Sequence, residues 1–457
     1  MAEQEGKEMQ QFNGDMLLDA LNNEQIDSFR EEFMEMHPYD QAKFFSQLEA
    51  ESRSRVYHYL SPEEMAALFE NLKSEEEEFG DILSEMNPAY AADMLSEMYA
   101  DDAVDVLNEL DKEQVVSYLT IMDKEAAAEI KELLHYEEYT AGSIMTTEYV
   151  AIAANQTVRS AMHILKNEAP QAEIIYYIFV VDENKKLAGV ISLRDLIVSD
   201  DDTMIQEIMS ERVVSVSVGE DQEEVARQMR DYDFLAMPVV DFQNHLVGII
   251  TIDDIVDVME EEASEDYSKL AGVPDIEYGD RSALTAARKR LPWLVILLFL
   301  GMFTASLIGR FEETLNQKAI LAVFMPLIAG MAGNTGTQAL AVVVRGIATG
   351  DLKTESKWKL ILKEGSTGLL IGLSCGILVT FVIYFWQNDF YLGLLVGAAI
   401  IVTLFVATLA GSLIPLLMHK MNIDPAVASG PFITTINDII SVLIYFGMAS
   451  LFISYLK

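Results

Sequence analysis

A single acidic residue interrupts an otherwise uncharged apolar run near the end of the chain. Asp438 is the only charged residue in 432–456. An unpaired carboxylate in hydrocarbon costs several kcal/mol unless it meets water or a cation. If the run is helical, Thr434, Asp438 and Ser441 share one face, and Asn437 lies beside them. We therefore predict an oxygen-lined stripe that holds a cation; a protonated carboxyl hydrogen-bonded to a neighbouring helix is the alternative.

A second polar feature lies inside another apolar run. Residues 330–338 are rich in glycine and polar side chains and follow Pro326 in the uncharged run 319–344. Irregular backbone at membrane depth is tolerated only where protein or a water-filled cavity covers it. We expect a break in this helix and a water-lined pathway with Asn334 on its wall. Glu364, which enters the third apolar run, is expected to line the inner vestibule or to form an interfacial ion pair.

The charge at Asp438 favours two copies of the chain. One carboxylate cannot neutralise a divalent ion, but two carboxylates related by a two-fold axis can, and closed two-fold dimers are the commonest assembly. Mg²⁺ keeps several waters and is held by one or two carboxylates, whereas Ca²⁺ takes about 6 to 8 oxygen ligands. We therefore predict a homodimer with a Mg²⁺ pathway on its axis.

The segment before the first apolar run is dense in acids. Eight of the fourteen residues in 253–266 are acidic, and several of them, such as Asp254 and Asp257, share one helical face where like charges repel. Bound divalent cations would relieve this repulsion; a solvated acidic surface is the alternative. Candidate partners from other elements are Asp101, Asp102, Asp105, Asp221, Glu223 and Asp233.

Composition excludes several classes of function. The 457 residues carry 31 basic and 73 acidic side chains, a net charge of −42, which opposes the binding of nucleic acid. The one cysteine, Cys375, forms neither an intramolecular disulfide nor a thiolate cluster, so a metal would be held by oxygen donors or histidines. No span carries a His-Glu-x-x-His motif or paired carboxylates, so we do not expect an enzyme.

Five uncharged runs predict a membrane domain, since about 20 apolar residues cross the hydrocarbon core. They cover 291–309, 319–344, 365–388, 390–418 and, broken by Asp438, 432–456. Basic residues cluster before the first run and between the second and third runs. The positive-inside rule therefore places residues 1–290 in the cytoplasm. The acidic N-terminus has no apolar segment typical of a signal peptide, so we expect none.

A twelve-residue repeat occupies 36–134. Apolar residues recur at this spacing in two series, and Pro38, Pro62 and Pro88 each come two residues after a repeat begins. Proline is favoured in the first turn of a helix. The pattern predicts short stacked helices, a small solenoid; an ordinary helical core is the alternative.

Two later stretches, 143–199 and 207–259, repeat each other. Each alternates β-branched runs with an amphipathic helical stretch and predicts a β-α-β-β-α unit. The pair resembles tandem CBS domains, in which a Ser or Thr followed three residues later by Asp binds phosphate and ribose. The matches here are Ser192 with Asp195 and Thr251 with Asp254. Tyr177 and Phe234 are candidates for stacking on an adenine, and core packing is the alternative.

In this order the features resemble the MgtE family of bacterial magnesium channels. The likeness rests on the helical repeat, the CBS pair, the acidic segment, the glycine-asparagine motif at 333–338 and the Asp438 span, and it covers nearly the whole chain. Local motifs that look familial are 175–178, 192–197, 222–227 and 232–234.

The resemblance implies a multidomain membrane protein, with an all-α solenoid N domain, α/β tandem CBS domains and a five-helix transmembrane domain. The implied boundaries are 1–135 for the solenoid, 136–200 and 201–262 for the CBS domains, 263–290 for a connecting plug helix and 291–457 for the membrane domain. It also implies a homodimer in the lipid bilayer of the bacterial inner membrane, with the N-terminal domains in the cytoplasm.

The resemblance further implies Mg²⁺ conduction through Asp438, closure by cytosolic Mg²⁺, and ATP binding at Tyr177, Arg194, Asp195 and Phe234. The implied sensing residues are Asp221, Glu223, Asp233, Asp254, Asp257, Glu262, Glu265 and Asp266, with Asp101 and Asp105 from the solenoid. Other divalent cations are further candidates as permeant ions. A carrier that couples divalent-cation flux to another ion through Asp438 is the alternative.

Overall fold

The chain forms two compact units. In the computed structural model these are Met1–Met259 and Glu260–Lys457. The structure describes residues 14, 16–72, 79–273, 283–350, 352, 357–421 and 423–452.

The first unit begins with a series of short helices. They are Ile26–Met34 (α1), Pro38–Ser46 (α2), Ala50–Tyr59 (α3), Pro62–Phe69 (α4), Phe79–Glu85 (α5), Pro88–Glu97 (α6), Ala100–Asn108 (α7), Lys112–Ile121 (α8) and Lys124–Leu133 (α9). Phe29, Phe33, Phe45 and Phe69 are fully buried between them. These helices share one core, as expected when each short helix buries one face against its neighbours.

The helices start where the sequence repeat places them. The starts of α2, α3 and α4 are twelve residues apart, and so are those of α6, α7, α8 and α9. Pro38, Pro62 and Pro88 lie in the first turns, where the missing N–H breaks no helical hydrogen bond. Ser61 and Glu64 cap α4 reciprocally. Local signals therefore set these boundaries.

The rest of the first unit contains two three-stranded sheets. The first repeat runs Tyr149–Ala153 (β1), Val158–Glu168 (α10), Ile174–Val181 (β2), Leu187–Ser192 (β3) and Leu193–Val198 (α11), followed by Ile205–Ile208 (α12). The second runs Val216–Ser217 (β4), Gln222–Tyr232 (α13), Ala236–Val240 (β5), Leu246–Thr251 (β6) and Ile252–Ala271 (α14). In each sheet the middle strand pairs parallel with the first and antiparallel with the third. This is the predicted β-α-β-β-α order.

A segment of each repeat packs against the sheet of the other repeat. A Cβ added to Gly248 on β6 would lie 2.7 Å from the sulfur of Met145, which precedes the first sheet. A Cβ added to Gly189 on β3 would lie 2.7 Å from the sulfur of Met209, which precedes the second sheet. Backbone bridges accompany both contacts, Thr146 with Ile249 and Ser210 with Val190. Each repeat thus supplies the segment that covers the other repeat's sheet.

The second unit contains the apolar helices. They are Ala283–Gly309 (α15), Leu321–Ala348 (α17), Lys357–Gln387 (α18), Phe390–Lys420 (α19) and Gly430–Phe452 (α20), with the short Glu312–Gln317 (α16) and a 3₁₀ turn at Pro425–Val427. Among the described residues, five helices (α15 and α17 to α20) are long and apolar enough to cross a membrane. We refer to them as the first to fifth spans.

The segment 263–290, implied as the connecting plug helix, contains the end of one helix and the start of another. α14 ends at Ala271, and Gly272 has a φ of 73°, a left-handed conformation that commonly ends helices. Residues from 283 onward already belong to the helix of the first span. Residues 274–282 lie outside the described part of the chain.

Glycines set the distance between the spans. A Cβ added to Gly376 on α18 would lie 2.6 Å from the carbonyl oxygen of Gly397 on α19, and one on Gly368 would lie 2.8 Å from the Cβ of Thr408. Small residues let membrane helices approach closely where no hydrophobic force drives them together. α18 and α19 therefore form a tight pair.

The second span corrects one expectation. α17 is an uninterrupted helix through residues 330–338, so the predicted break does not occur. A Cβ added to Gly333 would lie 2.8 Å from Cγ2 of Thr434, and one on Gly336 would overlap the side-chain amide of Asn437. The glycines therefore serve the close approach of the second and fifth spans rather than an irregular backbone.

We predict that Gly336→Ala destabilises the membrane unit by about 1–3 kcal/mol, because overpacked side chains force shifts of this cost. The measurement is thermal unfolding of the full-length protein in detergent. Gly330→Ala is the matched control on the same helix, since nothing lies within 4 Å of a Cβ there. Equal unfolding temperatures for both variants would contradict the packing role.

Candidate cation sites

A cavity of about 240 Å³ in the second unit contains the intramembrane carboxylate. Its wall is formed by Thr304, Ile308, Met325, Pro326, Ile328, Ala329, Asp438, Ser441, Val442 and Tyr445. These residues come from the first, second and fifth spans. Asp438 is therefore the one carboxylate among otherwise apolar and hydroxyl-bearing lining residues.

The polar residues of the fifth span divide between two surroundings. Asp438 and Ser441 face the cavity, and the Ser441 hydroxyl donates a hydrogen bond of 2.8 Å to the backbone carbonyl of Asp438. Thr434 and Asn437 face the second span instead: the methyl of Thr434 packs on Gly333, and Asn437 is buried. The predicted four-residue stripe thus supplies two cavity residues.

Asn437 combines burial with an unpaired acceptor. Its amide nitrogen donates a 3.5 Å hydrogen bond to the carbonyl of Ala332, and its Oδ1 has no hydrogen-bond partner within the described residues. The other two predicted lining residues, Asn334 and Glu364, are not among those that line the cavity. Asn334 is exposed on α17, and Glu364 is buried on α18.

A second group of carboxylates lies within the first unit; we call it the domain cluster. Its members are Glu70, Asp101, Asp102, Glu148, Glu173, Asp253 and Asp254. Carboxylate oxygens of Glu173, Asp253 and Asp254 lie within 4.8 Å of one another, and the charges of Glu148, Glu173 and Asp254 all act on Asp101. The cluster thereby joins the helical domain to both sheet repeats.

Local hydrogen bonds hold the domain cluster in place. The backbone N–H groups of Tyr99 and Ala100, at the start of α7, donate to Glu70 at 3.2 Å and to Glu148 at 3.3 Å. Carboxylates are favoured at a helix N-terminus, where backbone N–H groups lack helical partners. At the end of β6, the Thr251 hydroxyl donates to Asp254 at 2.6 Å. Secondary-structure ends thus bring the acids together.

Four carboxylates of the domain cluster have pKa values above those of free carboxyl groups. Burial and then the charge of Asp102 raise the pKa of Asp101 well above its ordinary value. Burial and then Glu70 raise the pKa of Asp102 to about 8. Burial and then Asp254 raise the pKa of Glu173 to about 7. Burial raises the pKa of Asp254 to about 6, against the hydrogen bond from Thr251. A bound cation would reverse these shifts.

Two atoms of the domain cluster lack hydrogen bonds among the described residues. They are Oδ1 of Asp101 and Oε2 of Glu173, both buried. Asp105 is exposed one turn further along α7, and its charge acts on Asp102. Asp257 acts likewise on Asp254. Hard cations such as Mg²⁺ take oxygen ligands of this kind.

A third group lies in the second unit, at the last turns of α14. Glu262, Glu265 and Asp266 lie on this helix, as the sequence predicts, and Asp424 faces them. Burial and then the charge of Asp424 raise the pKa of Asp266 to about 6. Asp424 also accepts a hydrogen bond of 2.8 Å from the N–H of Ala426, which anchors the turn before the fifth span.

The remaining predicted sensing residues lie on α13. Asp221 caps the start of this helix by accepting hydrogen bonds from the N–H groups of Glu223 and Glu224, and Asp233 ends it in a left-handed conformation with a φ of 54°. An 11-residue helix is about 16 Å long. Asp233 therefore cannot share one ion with Asp221 and Glu223 of the same chain.

The structure brings together some, but not all, of the residues predicted to bind a nucleotide. Tyr177 on β2 pairs with Ser192 on β3, and the Ser192 hydroxyl donates to Asp195 at 2.6 Å. Arg194 is exposed between them. Phe234 instead stacks on Tyr232 of the second repeat, with ring centroids 5.3 Å apart.

Sequence reasoning missed Glu70, Glu148, Glu173 and Asp424. The first three come from a helix end, a loop and a strand approach with no common spacing, so periodicity could not find them. Asp424 could have been found, because it is one of eight acidic residues in 286–457 and directly precedes a proline before the fifth span.

Three family models match the chain. The MgtE model, described as a divalent cation transporter, matches residues 325–448, and the MgtE intracellular N domain matches 36–139. The CBS domain matches twice, at 141–201 and 205–261.

Full-length relatives agree. The magnesium transporter MgtE of Enterococcus faecalis is 58% identical over 451 residues, which is 99% of both chains. The magnesium transporter MgtE of Bacillus subtilis is 42% identical over 434 residues, 95% of this chain and 96% of the relative. That of Thermus thermophilus is 39% identical over 438 residues, covering 95% and 97%.

Two solved structures resemble the soluble half. The soluble part of a magnesium transporter has a TM-score of 0.54 at 56% identity and covers 56% of this chain and 99% of its own. The cytosolic domain of the Mg²⁺ channel MgtE in complex with ATP has a TM-score of 0.51 at 40% identity, covering 54% and 99%.

A helical N domain, a CBS pair and five apolar helices, one of which places a carboxylate at a cavity, define a membrane transporter of divalent cations. The chain belongs to the MgtE family of magnesium transporters. The predicted family and fold class are confirmed, and the relatives named above are transporters rather than enzymes.

We predict that the metal-free protein loses stability as pH rises from about 6 to about 8. Asp102, Glu173 and Asp254 have raised pKa values in the folded chain, so the folded state binds more protons than the unfolded state in this range. Their stabilising protonation is complete below the unfolded values and is lost as pH passes the folded values, up to about 8 for Asp102. Thermal unfolding in a chelator measures this.

Asp102→Asn should reduce the pH dependence of the unfolding temperature, and added Mg²⁺ should raise that temperature most at pH 8. Asp81→Asn is the control, since Asp81 is exposed on α5. A wild-type unfolding temperature that rises with pH in the chelator would contradict the electrostatic strain.

Proposed function

We propose that the protein is a Mg²⁺ channel that mediates magnesium uptake and is closed by cytosolic Mg²⁺. The observation that carries this proposal is Asp438, a carboxylate of the fifth span that faces a cavity of about 240 Å³. A carboxylate at this depth is costly without water or a cation. The names of the relatives, magnesium transporter and Mg²⁺ channel, support the choice of ion.

Two copies of the chain complete the pore. Each copy contributes one Asp438, and two carboxylates match the charge of one divalent ion across a two-fold axis. Mg²⁺ dehydrates reluctantly and keeps several waters when one or two carboxylates hold it. A wall of hydroxyl and apolar groups with one acid per copy suits such a partly hydrated ion. Thr434, Asn437, Asn334 and Glu364 remain proposed pore residues in this dimer.

Regulation follows from the acidic clusters. We assign sensing of cytosolic Mg²⁺ to Asp101, Asp105, Asp221, Glu223, Asp233, Asp254, Asp257, Glu262, Glu265 and Asp266. Bound Mg²⁺ neutralises carboxylates that otherwise repel each other, so it stabilises the closed arrangement. By linkage, the closed form binds cytosolic Mg²⁺ more tightly than the open form. High cytosolic Mg²⁺ thus stops further uptake.

ATP is the proposed second ligand. The cytosolic domain of a relative was solved with ATP, and this chain has an adjoining tyrosine, serine and aspartate on the first repeat. Tyr177 would stack on the base and Asp195 would accept the ribose hydroxyl protons. Arg194 would pair with phosphate, and Phe234 would cover the base from the second repeat.

The proposed location is the bacterial inner membrane, with the acidic first unit in the cytoplasm. The positive-inside rule supports this orientation, because Arg288, Lys289 and Arg290 precede the first span. The domain boundaries at 135, 200, 262 and 290 belong to the same proposal.

We predict that Asp438→Asn lowers Mg²⁺ flux into proteoliposomes at least about tenfold, since losing as little as about 1.4 kcal/mol of ion stabilisation has this effect. A Mg²⁺-sensitive dye inside the vesicles measures flux. Glu313→Gln, an exposed acid outside the spans, is the control. Undiminished flux in the Asp438 variant would refute the pore assignment, and flux only with a proton or sodium gradient would favour a carrier.

We predict that Glu173→Gln raises the Mg²⁺ concentration of half-closure about tenfold, because it removes one of three carboxylates whose oxygens lie within 4.8 Å of one another and so weakens cation binding beside the sensing residue Asp254. Single-channel recording at varied Mg²⁺ on the cytosolic side measures closure. Glu168→Gln, an exposed glutamate in the same CBS repeat, should close like the wild type. If both variants close at the same concentration, the domain cluster does not sense Mg²⁺.

A further inference from the structure

A lysine side chain forms ion pairs with the acids at the end of α14. The ammonium of Lys269 lies 2.5 Å from Oε1 of Glu265 and 2.6 Å from Oδ2 of Asp424. Glu265 lies one turn earlier on the same helix, whereas Asp424 lies on the turn that leads into the fifth span. The lysine therefore bridges two elements that are distant in sequence.

Lys269 stays charged in this position. Burial opposes its charged form, but the hydrogen bonds to Asp424 and Glu265 outweigh burial and raise the pKa of Lys269 above its ordinary value. The surrounding acids still outnumber it, because the charges of Asp424, Glu262 and Glu265 act on Asp266 together with that of Lys269. One ammonium among four carboxylates leaves residual negative charge.

Apolar contacts place this bridge at a joint. Leu270, the next residue, is partly buried against a cluster where the second span ends and the fifth span begins, formed by Leu340, Val344, Ala426, Ala428 and Ile433. A Cβ added to Gly272 would lie 2.7 Å from the indole nitrogen of Trp293 on the first span. The last turn of α14 thus contacts three elements of its own unit, and Lys269 is the charged part of that contact.

An ammonium and a divalent cation compete for the same oxygens. Lys269 donates hydrogen bonds to two carboxylates and cannot accept one. A Mg²⁺ ion held by Glu265 and Asp424 needs the oxygens that the ammonium now occupies, and it offers twice the charge. Occupancy by one excludes the other, so the lysine raises the cation concentration at which metal takes this position.

We propose that Lys269 is a tethered competitor of divalent cations, and that it sets the Mg²⁺ concentration at which Glu265 and Asp424 are bridged by metal. The lysine keeps α14 joined to the entry of the fifth span when Mg²⁺ is low, and it is displaced when Mg²⁺ is high. The consequence for gating rests on the proposed function, whereas the competition itself does not.

The test uses Trp293 as a reporter. Trp358 and Trp386 are 72% and 64% exposed, so Trp358→Phe with Trp386→Phe leaves Trp293 as the one tryptophan of the full-length chain. Its emission is followed in detergent while MgCl₂ is added. In this background Lys269→Met should lower the Mg²⁺ midpoint about tenfold, because a charge-assisted competitor is removed.

Three variants sharpen the test. Lys269→Arg keeps the positive charge and should keep the wild-type midpoint. Lys359→Met, at an exposed lysine of α18, controls for loss of one positive charge. Asp424→Asn should raise the midpoint, and Lys269→Met should no longer lower it in that background. A Lys269→Met midpoint equal to or above that of the wild type would overturn the proposal, since the lysine would then be a structural tether only.

Measurements of flux distinguish a failure of this inference from a failure of the proposed function. Lys269→Met channels should half-close at about a tenth of the wild-type Mg²⁺ concentration. A lowered Trp293 midpoint with unchanged closure would support the competition and refute the gating role of this site. An unchanged midpoint in protein that conducts and closes normally would refute the competition alone.

Discussion

The structure depends on carboxylates that are held closer together than their charges favour. In the first unit, acids from a helix end, a loop and the edges of two sheet repeats lie close together and are partly or fully buried. Burial and the neighbouring charges raise the pKa values of Asp101, Asp102 and Glu173. Such an arrangement is more stable when protons or cations supply the missing positive charge. The fold therefore makes the association of its own domains depend on the ions around it.

The local features of this architecture, helix boundaries and strand order, could be predicted from the sequence. Helix starts twelve residues apart follow from prolines and caps that act within a single turn, and the two sheet repeats follow from alternation of β-branched runs. The neighbours of each acid could not be predicted in this way. Glu70, Glu148 and Glu173 meet Asp101 only through tertiary packing, which no spacing encodes. Asp424 faces α14 for the same reason, although its isolation among apolar residues was a usable signal.

The second span shows why a glycine-rich segment is ambiguous. Glycine weakens a helix but also permits a neighbouring helix to approach, and the sequence of one helix does not tell which effect prevails. Here Thr434 and Asn437 fill the space above Gly333 and Gly336, so the backbone hydrogen bonds of α17 persist. The side-chain amide of Asn437 donates a hydrogen bond to the carbonyl of Ala332 on the second span, while Asp438 and Ser441 are the residues of this polar group that line the cavity.

The reciprocal Met–Gly contacts between the CBS repeats have an evolutionary consequence. Met145 fits over Gly248 and Met209 fits over Gly189, so neither repeat presents a finished surface by itself. An ancestral single copy would have met this requirement by pairing with an identical molecule. Two copies joined in one polypeptide meet the same requirement, and each half can then carry different residues: the first repeat has Tyr177 beside Ser192, and the second has Asp254, whose charge acts on Asp101 of the helical domain.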